Sequence, residues 1–136
     1  MKKLTPSLLA VTLILSLAAC SSSKLADVFK GDEVAARAKG FVETINTLDY
    51  DAVVSEIRED LQSQVTPESL ERAWGVQLTD AGTFKEYATV VTYGQKDKST
   101  GEDYAVCVLV CKYENASHTF TISIDKNLEI VGLYMK

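Results

Sequence analysis

Three cysteines, one histidine and a few clustered acids are the side chains from which this 136-residue chain could build chemistry. Cys20 is the most distinctive, because it closes the run Leu17-Ala18-Ala19-Cys20 at the end of a short apolar stretch. Small residues before the cut let a peptidase approach the backbone, and the cysteine offers a thiolate to alkylate with diacylglycerol. Lys2 and Lys3 supply the positive start of a signal peptide, and Leu8 to Leu17 its apolar core. That core is shorter than the roughly 20 residues needed to span a bilayer. The run therefore reads as a lipobox, with 1–19 removed and Cys20 lipidated as the mature N-terminus.

His118 is the sole histidine, so any acid–base or metal chemistry must start there. It stands at a predicted strand end, opposite Tyr113 and diagonal to Cys111. A histidine so placed suits a general base or a metal ligand at a pocket mouth. A Cys–His nucleophilic pair needs an activated thiolate, and Lys112 is expected to point to the opposite face. A turn histidine packing its ring on Tyr113 is the favoured expectation. Cys107 and Cys111 lie four residues apart in one Val-rich strand, about 13 Å along it. A disulfide needs Cα atoms within about 7 Å, so both are expected as free, buried thiols. With His118 they make three zinc ligands where about four are required, and neither a metal nor a cofactor is expected. Trp74, flanked by Leu70 and Leu78, reads as core; with Tyr113 and His118 it is also a candidate lining for a pocket between helices and sheet. The acids Glu56, Glu59 and Asp60 read as a solvated helix face, and Asp49 and Asp51 as capping. No calcium-loop pattern, Gly-rich phosphate loop or Gly-x-Ser-x-Gly elbow is present in the sequence. No residue is assigned a catalytic role.

The elements that hold these residues follow from periodicity. Val34, Ala38, Phe41, Ile45 and Leu48 share one face of a predicted helix from Asp32 (as N-cap) to Leu48. Asp49 caps a second helix whose apolar residues are Val53, Val54, Ile57 and Leu61. Thr66-Pro67-Glu68 starts a third, with Leu70, Ala73, Trp74, Leu78 and Ala81 as its stripe and Gly82 in the left-handed C-terminal position. The period then changes to two, giving strands over 84–93, 104–113, 118–124 and 128–134. With Asn115 and Ala116 as the turn, Tyr113 pairs with His118, Cys111 with Phe120, Leu109 with Ile122 and Cys107 with Ile124. Helices followed by a meander with one buried face imply an α+β two-layer domain over 32–136, preceded by a flexible leader over 20–31.

Removing 19 of the 136 residues takes away two lysines and no acid, so the formal charge of −5 becomes −7 for the 117 that remain. Such an acidic chain argues against nucleic acid, whose phosphates are held by clustered Lys and Arg, and against electrostatic attachment to anionic lipid. Anchoring falls to the acyl chains on Cys20, of which two or more hold stably.

From Gly40 onward the chain resembles the domain of unknown function 3887. The resembling residues are Phe41-Val-Glu-Thr-Ile-Asn with Asp49-Tyr-Asp-Ala-Val, Leu70, Trp74, Gly82-Thr-Phe-Lys, Asp125 and Gly132-Leu-Tyr. The resemblance implies the cone-shaped α+β class related to nuclear transport factor 2, a curved antiparallel sheet wrapped over helices. Relatives in that class include isomerase-like enzymes, dimeric scaffolds and small-ligand binders, and related domains precede α/β-hydrolase domains as accessory modules. No catalytic residue carries over. The function expected is a lipid-anchored extracytoplasmic binding or interaction module on the bacterial cell membrane. Its partner would be a small molecule or an envelope protein, and a homodimer through the sheet is also open. The alternative is an isomerase-like or hydrolase-like enzyme, which would place a carboxylic acid beside Tyr113 or His118 in apolar surroundings.

Overall fold

A computed structural model describes residues 23–136, so the signal segment and Cys20 lie outside the described residues. The first helix, α1, spans Gly31–Asn46 and buries Val34, Ala38, Phe41, Val42 and Ile45 along one face. Lys30 rather than Asp32 is the N-cap; Asp32 sits in the first turn, where an acid still complements the positive helix end. Leu48 does not join the stripe: it is 40% exposed, with φ at 61°. The Thr47 hydroxyl donates to Thr44 O and accepts from Asp49 N, local bonds that compete with continuing the helix.

Helix α2, Tyr50–Ser55, is capped as expected, Asp49 Oδ1 accepting from Ala52 N at 3.1 Å. It stops well short of Leu61. Ile57 instead forms a parallel bridge with Ile130, and Arg58 N donates to Ile130 O at 2.8 Å. The edge of the last strand thus takes up backbone groups that a longer helix would have used internally, and Leu61 is buried from a 3₁₀ turn, Glu59–Gln64. Helix α3, Pro67–Ala81, opens with the expected cap: Thr66 Oγ1 accepts from Ser69 N, and Ser69 Oγ from Thr66 N. Leu70, Trp74, Leu78 and Ala81 are its buried residues. Gly82 has the expected positive φ of 78°, but its ψ of −151° is extended rather than left-handed helical, sending the chain straight into a strand.

The strands β1 (Phe84–Lys96), β2 (Asp103–Tyr113), β3 (Ser117–Ile124) and β4 (Ile130–Met135) form one antiparallel sheet in the order β1-β2-β3-β4. Register shifts between Phe84 and Glu86 and between Tyr87 and Thr89 bend β1. The result is the α+β two-layer arrangement read from the pattern: helices first, then a curved sheet covered on one face.

The β2–β3 register is two residues away from the expected one. Cys111 pairs with His118, Leu109 with Phe120, Cys107 with Ile122 and Ala105 with Ile124. A two-residue turn is ruled out because Tyr113 N donates to Ala116 O, while Glu114 N and Asn115 N reach across to Thr83 O and Ala81 O. An even shift preserves the face, so Cys107, Leu109, Cys111, Phe120, Ile122 and Ile124 are all still buried. The leader also departs from expectation. From Ser23 on it is held down: Ser23 bridges Gly94, Leu25 and Ala26 pack on the core, and Phe29 is 7% exposed.

Phe120 is completely buried at the centre of this face, its ring 6.3 Å from that of Trp74 at an interplanar angle of 81°. Phe120→Ala is expected to lower unfolding stability by about 3–5 kcal/mol, read as a shift in the urea midpoint at unchanged slope; a loss below about 1 kcal/mol would contradict this placement.

Candidate functional site

The alternation of β2 and β3 brings Tyr113, His118 and Cys111 together where the sheet meets the end of α1. The Tyr113 and His118 rings lie edge to face at 5.6 Å, and the Phe84 ring also packs on Tyr113, at 5.7 Å. The Tyr113 hydroxyl donates to Asn46 Oδ1 in α1. His118 therefore packs its ring on Tyr113, as favoured from sequence, although its direct cross-strand neighbour is Cys111. His118 Nε2 is buried and has no hydrogen-bond partner. Trp74 stands apart from this pair, edge on to Phe120.

Nucleophilic chemistry by a thiol would need an activated thiolate here, and burial works against one. Burial pushes the Cys107 thiol up to about 11, with nearby Lys39 pulling weakly the other way, and the Cys111 thiol up to about 12. At neutral pH about one Cys107 in 10⁴ is thiolate, too few for an activated nucleophile. Burial also raises Tyr113 and takes Tyr87 up to about 12. The buried carboxylates among the described residues are Asp97 and Asp125, and both have other work. Asp97 accepts from the Ser99 hydroxyl at 2.7 Å and from Ser99 N at 2.8 Å, bonds that hold its carboxyl below the ordinary range.

Asp125 belongs to a polar cluster at the opposite end of the sheet. Its Oδ1 accepts from Asn127 N and Glu129 N, both at 2.9 Å, and its Oδ2 accepts from Arg58 Nη1 at 3.1 Å. Arg58 also forks onto Asp60, at 2.7 and 3.1 Å, and Glu102 lies 3.9 Å away. The hydrogen bond to Asp60 is the largest influence raising the guanidinium pKa, and it lowers that of Asp60 in turn. Glu102 accepts from the Tyr104 hydroxyl at 2.9 Å; burial and this acid take Tyr104 up to about 12. An open groove of about 680 Å³ runs beside the cluster, lined by Arg58, Glu59, Asp60, Ser63 and Glu129. Of the acids read as a solvated helix face, Glu59 and Asp60 are exposed as expected, while Glu56 is half-buried in a tertiary pair. Glu56 pairs with Arg37 at 3.0 Å, and Asp60 with Arg58. Sequence reading missed Arg58 because Asp125 is 67 residues away in the chain. No group of three or more His, Cys, Asp or Glu among the described residues is arranged to hold a metal ion.

A family model described as "Protein of unknown function (DUF3887)" matches residues 38–133, from the middle of α1 into β4. The chain belongs to this family. The match takes in the Tyr113–His118 pair and the whole Arg58–Asp125 cluster, so both are parts of the DUF3887 domain of this chain. It is also similar to a solved protein from Ruminococcus gnavus ATCC 29149, determined by NMR. That likeness has 28% identity, a TM-score of 0.72, and coverage of 84% of this chain and 97% of the other. No curated protein matches the chain. The fold is therefore shared with the Ruminococcus gnavus protein over most of this chain.

Two expected outcomes follow. Arg58→Ala strands the Asp125 carboxylate and should cost about 1.5–3 kcal/mol, the worth of a hydrogen bond to a charged group. In an Asp125→Asn background, which retains the acceptor for Asn127 and Glu129, urea denaturation should show a smaller loss. Equal losses in both backgrounds would remove the pair from the fold's support. The second concerns alkali. Cys107 and Cys111 titrate in the folded state above the ordinary thiol value of 9.0, so the unfolded chain releases protons that the folded one retains. Their stabilisation is complete below about pH 9 and falls as pH rises toward 12. A Cys107→Ala/Cys111→Ala variant should lose less stability over that rise; a slope as steep as wild type would contradict it.

Proposed function

We propose that the protein is a lipid-anchored extracytoplasmic binding or interaction module, tethered to the bacterial cell membrane through Cys20. One observation supports the non-catalytic half of this reading: the two inner thiols and the two buried carboxylates are engaged in holding the fold. The thiols are buried, His118 packs on Tyr113, and Asp97 and Asp125 serve turns and Arg58. The lipobox carries the other half, and among the described residues no helix is long and apolar enough to cross the membrane by itself. We also propose kinship with the cone-shaped class related to nuclear transport factor 2, supported by the helices-then-meander order and the bulges in β1.

The surface we assign to a partner is the outer sheet face. Val91, Val108, Thr121 and Tyr134 form one cross-strand row there, none of them buried, and Val91 is 48% exposed. An envelope protein fits this apolar and hydroxyl-bearing row, and a second copy of the chain is the competing occupant.

The anchor and the surface are tested together in cells. Wild type should incorporate labelled fatty acid and fractionate with membranes, while Cys20→Ala should do neither. A photo-crosslinker at Val91 should give an adduct of defined mass that Val108→Arg abolishes with the fold intact. An unlipidated wild type refutes the anchor. Turnover of an envelope metabolite, lost in folded His118→Ala, would replace the binding module with an enzyme.

A further inference from the structure

We propose that the anchored domain stands on the membrane in one orientation, with the β1–β2 loop at 97–102 toward the lipid and the β2–β3 turn at 114–116 pointing away. This rests on the lipidation of Cys20 proposed above and goes beyond it, because a tether by itself leaves a domain free to tumble. What restricts this one is the strap formed by the leader.

Ser23 N donates to Gly94 O at 3.0 Å, Gly94 N donates to Ser23 O at 2.6 Å, and the Ser23 hydroxyl adds a third bond to Gly94 O at 3.1 Å. Ser23 thus occupies the free edge of β1 as a single residue of added strand. The approach is so close that a Cβ on Gly94 would collide with Lys24 O and crowd Leu25 Cα; a mid-strand glycine is what admits a second backbone there. Beyond Ser23 the strap stays attached. Leu25 and Ala26 pack on the core, Phe29 N donates to Ala26 O at 2.9 Å, and the buried Phe29 leads directly into α1.

Two consequences fix the orientation. The Ser23–Gly94 bridge is antiparallel, so the chain reaches Ser23 from the side toward which β1 runs, the side of the 97–102 loop. Only Ser21 and Ser22 lie between Cys20 and Ser23, three Cα-to-Cα steps with a reach of at most about 11 Å. The acyl chains must therefore enter the bilayer beside this corner. The far end of β1 lies ten residues from Gly94, about 30 Å away at strand spacing, and the turn at 114–116, bonded to Ala81 and Thr83, stands there with the Tyr113–His118 pair. The domain offers that end, and the length of its sheet, to partners above the membrane.

The test uses the full-chain lipidated protein in liposomes carrying a headgroup-attached quencher. A fluorophore is placed through Lys98→Cys or Ala116→Cys, both exposed positions, while Cys107 and Cys111 are buried. The Lys98 label should be quenched at least threefold more than the Ala116 label. Inserting about twenty Gly/Ser residues between Ser22 and Ser23, a flexible segment of about 25 Å, leaves the strap in place and should bring the ratio close to one. Equal quenching in the uninserted protein overturns the orientation while leaving the anchor standing. Failure of the uninserted protein to partition into liposomes overturns both.

Discussion

The sheet has one face that cannot be left in water, and most of the molecule follows from covering it. Leu109, Phe120, Ile122 and Ile124 project from β2 and β3 and are fully buried. Each such side chain contributes about 1.5–3 kcal/mol when removed from water, so this face has to find a lid. The stripe of α1 and that of α3 provide it, and Trp74 meets Phe120 edge to face. Cys107 and Cys111 belong to the same inward row, and their burial is what suppresses their chemistry. Reactive residue types and inert roles thus have a common cause.

Local signals were legible in sequence, and long-range hydrogen bonds were not. The Thr66-Pro67 start, the Asp49 cap, the alternation of β3 and the inward row are each written within a few neighbouring residues. The second helix was read too long because nothing near Ile57 announces that Ile130 will take up its backbone. The β2–β3 register was missed by two residues because the carbonyls that widen the turn belong to Ala81 and Thr83, over thirty residues earlier. The face survived that error because a strand repeats every two residues.

The polar cluster and the leader show the same limit. Asp125 finds Arg58 across 67 residues, and Ser23 finds Gly94 across 71. The glycine of the second contact, Gly94, falls in the separator when the strand is ended at Tyr93; only the extension of β1 to Lys96 makes it a strand glycine, which marks a close backbone approach. Treating the leader as a polar linker overlooked Leu25, Ala26 and Phe29, whose apolar side chains dock on the core.

The central claim is that Cys107 and Cys111 are sealed into the fold and are not open to a partner from solvent. Native-state thiol exchange tests this most directly, by following modification of Cys107 and Cys111 with a small reagent across low urea concentrations. If both thiols are sealed, they react only through global unfolding, with an opening free energy and urea slope equal to those of the whole domain. If either thiol is modified through a much smaller opening while the domain stays folded, the site is accessible and chemistry in the interior is restored as a possibility.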